Sequence, residues 1–276
     1  MKYKIITDSS SNLLPNYIVD ENVGFDVAPL TIRIGDNEYV DDEKINVNEM
    51  LDDMNAYKGR PTSACPSPYD YFSRFGDAEE IFIVTISKKL SGSFNSAVVA
   101  GQQSDKKVHV IDSKATGGTL ILIAEKLYEL MKEGTHSFEE IVKIIENYRD
   151  NLHMLFVLDK FDNLVKNGRM SKVAALIAKT LIIKPLCFAC DGEIEVKEKI
   201  RTAKGVYKRL VMNIADMLPD TTDKECIIVH TQADEAVEYL RASILEKYKF
   251  KRVRIVENRG LNSFYALEKG LMVSFG

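Results

Sequence analysis

The feature that most constrains this chain of 276 residues is the alternation of strand and helix patterns through its first half. Tyr3–Thr7, Phe25–Ile34, Glu80–Ile86, Val108–Asp112 and His153–Leu158 each read as a strand carrying Val, Ile or Phe. Between them lie helical patterns, notably Thr119–Lys132 and Ser137–Tyr148. In Ser137-Phe138-Glu139-Glu140 the serine and the second glutamate form a capping box that fixes a helix start. Strand, helix, strand repetition implies a parallel sheet with helices on both faces.

The second half changes character. Asn163 to Leu181 is helical but interrupted at Gly168, after which Ser171 can cap a new helix. Pro185 to Ile194 reads as strand, Asp191-Gly192 turn, strand. A helix from Thr202 to Met217, a strand Cys226–His230, a helix Asp234–Lys247 and a strand Val253–Glu257 follow. The expected architecture is therefore α/β: an N-terminal parallel-sheet α/β domain over 1–160, and a C-terminal α+β domain over 161–276. No Pro- or Gly-rich linker marks the join, so the two parts are expected to pack closely.

Charge and composition remove several classes. Lys and Arg number 37 against 41 Asp and Glu, a net of −4, so no broad basic face is available for nucleic acid. The one basic cluster, Lys247 to Arg254, largely alternates with apolar residues as a half-exposed strand does. No apolar run approaches the ~18 residues of a membrane span. The start turns polar too soon for a signal peptide, so the expected location is cytoplasmic, where thiols stay reduced. Cys187 and Cys190 form a lone C-x-x-C in a strand pattern, where positions three apart face opposite sides. Cys65 and Cys226 supply no second pair at zinc-like spacing, and no metal or cofactor is expected.

Several strands end in hydroxyl-rich loops. Thr7 to Asn12 follows the first strand, Ser87 to Ser96 the third, and Asp112 to Gly118 the fourth. Pro61 to Pro68, which holds Thr62 and Ser63, sits between helical stretches. In a parallel sheet such strand ends gather on one edge, the usual ligand crevice. Capping of the next helix explains any one of these loops. Several together on one edge favour a shared polar site, whose hydroxyls and helix-start amides can hold an anion.

The nature of that anion is narrowed by what is missing. There is no G-x-x-x-x-G-K-[ST] loop, no G-x-G-x-x-G turn and no G-x-S-x-G elbow. His109, His136, His153 and His230 show no metal-ligand spacing. Val173 to Ile183 is apolar around most of a helix, which fits a core helix or the wall of an apolar cavity. A polar anchor joined to an apolar pocket suits an amphiphile with one acidic head.

At this point the loops resemble those of the DegV family of bacterial fatty-acid-binding proteins. The likeness runs over essentially the whole chain. It rests on Thr7-Asp8-Ser9, Ala28-Pro29-Leu30, Pro61 to Ser67, Leu90 to Ser96, Asp112-Ser113-Lys114, Asn163 to Arg169, Lys184-Pro185 and Arg201-Thr202. The resemblance implies two α/β domains enclosing one long-chain fatty acid, its carboxylate held by hydroxyls and its tail in an apolar tunnel. It also implies a carrier without catalytic residues, which can present the acid to a fatty-acid kinase making acyl phosphate for phospholipid synthesis.

The family's Thr-Ser-Gln-Pro motif falls on Ser63-Ala64-Cys65-Pro66, with Thr62 just before it, and its Ser-Gly-Thr motif on Ser91-Gly92-Ser93. Where the family has a histidine near the carboxylate, counting back from Gly270 puts Ala266, with Tyr265 beside it as a stand-in. A phenol donates one hydrogen bond and carries no positive charge at neutral pH. The resemblance thus implies ligand contacts from Ser63, Thr62, Ser91, Gly92, Ser93 and Tyr265. It places Arg169 and Arg201 on the surface that meets a kinase; ordinary exposed ion pairs are the other reading of those arginines. The alternatives are a hydrolase or transferase using Ser91, Ser93 or Ser63, which needs a base in reach, and a binder of another small carboxylic acid.

Overall fold

Burial on both faces explains why the first strands read as near-continuous apolar runs. β1 (Tyr3–Asp8), β2 (Val23–Ala28), β6 (Glu80–Thr85) and β7 (Lys107–Asp112) form a parallel sheet in the order β2-β1-β6-β7, with Ile5 opposite both Phe25 and Phe82. This computed structural model describes residues 1–170 and 183–276; the apolar segment expected over 173–183 lies outside them except for Ile183.

One expected strand, Phe25–Ile34, is two. Pro29 offers no N–H to a ladder, and the chain leaves the parallel sheet there. β3 (Thr31–Ile34) instead pairs antiparallel with β4 (Asn37–Val40) and with β5 (Thr62–Ala64), giving a small sheet of order β4-β3-β5. The Pro61 to Pro68 segment, expected as a loop, thereby contributes a strand whose Ser63 lies opposite Ile32. α1 (Val47–Ala56) lies between β4 and β5 in the chain and shares a core of Ile32, Ile34, Met50 and Met54 with this sheet. α2 (Pro68–Phe72) follows β5, opened by a capping box from Ser67 and Asp70.

The second correction concerns the expected strand at His153–Leu158. β8 (His153–Val157) joins a second, mixed sheet and not the parallel one. Its partners are β9 (Lys184–Cys190) and β13 (Leu271–Phe275), both antiparallel to it. β10 (Glu193–Ile200), β11 (Glu225–His230) and β12 (Arg252–Glu257) complete the order β10-β9-β8-β13-β11-β12. A strand's apolar pattern states that it is buried and not which neighbours it takes, so the pattern could not assign β8. Asp191 and Gly192 both have positive φ in the β9–β10 turn, as the Asp-Gly signal requires. Lys247, the start of the basic cluster, ends a helix; only Arg252 onward is strand.

α3 (Ser93–Gln102) packs on β6 and β7. α4 (Gly118–Glu133) lies between the two large sheets, touching β1 and β6 on one side and β11 and β13 on the other. Its residues Gly118 to Ala124 are all buried. A Cβ on Gly118 would stand 3.0 Å from the Cβ atoms of Ile227 and Ser274, so the glycine lets the helix lie close on the second sheet. One apolar core therefore runs from Tyr3, Ile5 and Phe82 through α4 to Met154, Phe156, Ile227 and Met272. α5 (Phe138–Asp150) covers α4 and carries the expected Ser137–Glu140 capping box. α6 (Asp162–Lys166) follows β8; α7 (Ala203–Met217) and α8 (Asp234–Lys247) share the other core of the second sheet. α9 (Gly260–Ala266) precedes β13.

Candidate functional site

β1 ends in Asp8, and the chain then makes one 3-10 turn over Ser9–Ser11. One Asp8 oxygen accepts from Ser10 N at 3.1 Å, and the other accepts from Ile86 N at 2.8 Å, tying the loop after β6 to the end of β1. Burial pushes the Asp8 carboxyl up to about 6; donors on Ser10, Ile86 and Ser93 oppose that rise. Burial, and then the Asp8 charge, lift the nearby Tyr71 phenol well above its usual range.

The loop after β6 passes through Leu90 and Ser91 to Gly92, which stands at the N-cap of α3 with no side-chain cap bond. Ser91 Oγ accepts from Ser93 N at 3.2 Å and lies 3.0 Å from Ser93 Oγ. A Cβ on Gly92 would be 3.1 Å from Cys65 Sγ, a tight approach that joins this loop to the segment after β5.

Facing that loop are β5 and α9. Ser63 Oγ and Tyr265 Oη are 2.9 Å apart, a bond between residues 202 positions distant in sequence. α9 has no cap of its own: Arg259 supplies no side-chain acceptor. Asp41, from the loop after β4, takes that place, accepting from Gly260 N at 2.8 Å and Leu261 N at 2.9 Å. Burial raises the Asp41 carboxyl, against the pull of the Leu261 and Gly260 amides and the Ser9 hydroxyl. A Cβ at Gly260 would meet Asp41 Oδ1 at 2.7 Å, so only glycine fits there. α6 holds the opposite ends of both elements. Asn163 Nδ2 donates to Phe264 O at 2.7 Å, and Asn167 Nδ2 donates to Pro61 O at 3.2 Å.

Between these elements is a cavity of about 320 Å³. Ser63, Ser91, Gly92 and Tyr265 line it on the polar side. Leu30, Ile86 and Leu90 from the first half, and Met154, Phe156, Leu158, Leu164, Ile194 and Met272 from the second, form apolar walls. The structure thus brings four of the expected ligand contacts together. Ser93 is fully buried behind Ser91. Thr62 is exposed and does not line the cavity.

Arg169, expected on an outward surface, is half-buried and lines the cavity, its Nε donating to Leu90 O at 3.2 Å. Arg201 is exposed between β10 and α7 and is not part of the wall. Thr116 and Asn262 also line the cavity, Thr116 Oγ1 donating to Asn262 Oδ1 at 2.8 Å. Sequence reading passed over Asp41, Asn163, Asn167 and Asn262, whose partners lie about 100 to 250 residues away. Asn163 and Asn167 fall inside the motif segment, and their i, i+4 spacing was the available signal.

Among the described lining residues none is a histidine. Among the described residues no group of three or more His, Cys, Asp or Glu side chains is arranged to hold a metal. No described helix is long and apolar enough to cross a membrane.

The chain matches the family described as "Uncharacterised protein, DegV family" over residues 2–266. A DegV domain-containing protein of Streptococcus pneumoniae is 37% identical over 287 residues, covering 100% of this chain and 99% of the relative. Among solved structures, the S. pneumoniae Fatty Acid Kinase (Fak) B3 protein loaded with linoleic acid is 36% identical with a TM-score of 0.92, over 100% of this chain and 99% of that one. A DegV family protein from Ruminococcus gnavus with vaccenic acid is 32% identical with a TM-score of 0.92, over 99% of each chain.

Proposed function

This chain belongs to the DegV family, and on that footing we propose that it binds one long-chain fatty acid and presents its carboxylate to a fatty-acid kinase. The observation that carries the reading is the form of the cavity: hydroxyls and a helix-start loop at one side, aliphatic and aromatic walls elsewhere. A carboxylate accepts hydrogen bonds, and the Ser63 and Tyr265 hydroxyls, freed from each other, supply two donors. Ser91 and the first-turn amides of α3 beyond Ser93, whose own N–H is taken by Ser91 Oγ, add further donors and a partial positive charge. Burying the tail gains about 0.8 kcal/mol per methylene. The fatty acids named in the solved relatives support this chemistry.

The protein acts as a cytoplasmic carrier and not as an enzyme. Turnover needs a serine that faces the ligand with a base in hydrogen-bond reach. The Asp8 carboxylate bonds the Ser93 hydroxyl, but Ser93 is fully buried and does not line the cavity, while Ser63 is bonded to a phenol and Ser91 to Ser93. Arg169 and Arg201 are its contacts for the kinase, Arg169 at the cavity and Arg201 on the exposed surface.

The test is extraction of the purified folded protein with organic solvent, followed by mass spectrometry. Near-stoichiometric long-chain acid is expected. A folded protein that carries no acyl chain and takes none up from solution is the result that overturns the reading; labelling of a cavity serine by a phosphonate probe would favour an enzyme instead.

A further inference from the structure

Met154 and Phe156 alternate along β8 and share one face of the strand; with Leu158, just past its end, all three line the cavity. Leu158, Leu164 of α6 and Arg169 line the same cavity, and the Arg169 guanidinium is bonded to the loop carrying Ser91. Met154 lies four residues further back along the strand, about 13 Å away at ~3.3 Å per residue. It is buried at 5% exposure, opposite Ser274 of β13.

Met154 is also a wall of a second cavity, of about 340 Å³, at the start of β8. That cavity continues along the apolar side chains of Phe188 and Ala189 of β9. Its far side is polar: Lys114 pairs with Asp150 at 3.0 Å and Asp191 at 3.3 Å, and Arg149 lies beside them. One methionine therefore borders two spaces of similar size. Methionine, unbranched and flexible, adapts its shape to such a partition.

We propose that Met154 is the end wall met by the ω-end of the bound acyl chain, and that it sets the chain length the protein accepts. This rests on the fatty-acid reading above. A chain anchored at Ser63, Ser91 and Tyr265 runs past Leu158 and Phe156 and stops at Met154. Removing that side chain joins the two cavities, and the ion pairs around Lys114 then limit how far the methylenes can extend.

The test is a binding series of saturated fatty acids of increasing length, on delipidated full-length protein, for wild type, Met154→Ala and Met154→Phe. Affinity is expected to rise about fourfold per added methylene until the chain reaches the wall, and then to stop rising. That break should move to chains longer by about two carbons or more in Met154→Ala and to shorter chains in Met154→Phe. If Met154→Ala does not fold, Met154→Val serves with a smaller shift in the same direction. An unchanged break in variants that bind normally overturns the role of Met154 and leaves fatty-acid binding standing. A wild type that binds no acid at any length overturns the fatty-acid reading and this inference with it.

Discussion

Tyr265 shows how one residue was legible by position and only partly by chemistry. Counting from Gly270 pointed to the histidine position of the family, and the structure puts the neighbouring phenol 2.9 Å from Ser63 on the cavity wall. Removing only the hydroxyl, in Tyr265→Phe, keeps the apolar ring and deletes a donor. Fatty-acid affinity is expected to fall about tenfold, by fluorescent-probe displacement, with little change in melting temperature. Thr62→Ala, at an exposed position off the cavity, should leave affinity within about 0.5 kcal/mol of wild type. Equal losses in the two variants would show that hydroxyls at this segment act without regard to where they point. Asp8 contributes a pH dependence of stability. Its folded value, near 6, lies above the ordinary 3.8, so the folded state binds the proton more tightly than the unfolded chain. The cost of the buried charge, about 3 kcal/mol, is fully present above pH 6 and disappears as pH falls toward 4. Denaturant titrations should therefore show wild type gaining stability relative to Asp8→Ala between pH 7.5 and pH 5, whichever is the more stable at pH 7.5. A relative loss for wild type on acidification is the contrary result.

At the scale of elements, local signals placed most boundaries and said little about partners. Thr202, Ser137 and Asp191-Gly192 cap or turn where their chemistry predicts. The break at Pro29 was visible as a proline, but its consequence, a move into another sheet, rests on the neighbouring β4 and on β5, which arrives from about 30 residues on. The same holds for α9, whose cap comes from Asp41, about 220 residues earlier. No reading of residues 257 to 270 alone can supply it. Asp41→Ala leaves two buried amides without acceptors and should cost about 2–3 kcal/mol in chemical denaturation. Because α9 carries Tyr265, affinity should fall as well, and by less when Tyr265 is already Phe. Full additivity of the two losses would mean that Asp41 does not act through Tyr265.

For the whole molecule, the two-part pattern of the sequence was right that a parallel sheet precedes a mixed one, wrong in assigning β3 and β8 to the first, and silent about how the parts share a core. α4 supplies that core, packed against both large sheets with Gly118 at the closest point. A Gly118→Ala variant forces the helix off β11 and β13, an overpacking that should destabilise by about 1–3 kcal/mol. With one helix serving both sheets, urea unfolding followed by far-ultraviolet circular dichroism and by tyrosine absorbance should give coincident single transitions. Two separated transitions would show that the halves hold together independently.

The bond between Ser63 and Tyr265 has a further consequence during synthesis. The polypeptide emerges from the ribosome starting at its amino end, so the residues of β5 are made long before those of α9. Until residue 265 has been translated, the pocket lacks one side, and a half-made molecule has nowhere to store cargo. Loading therefore waits until α9 has been made.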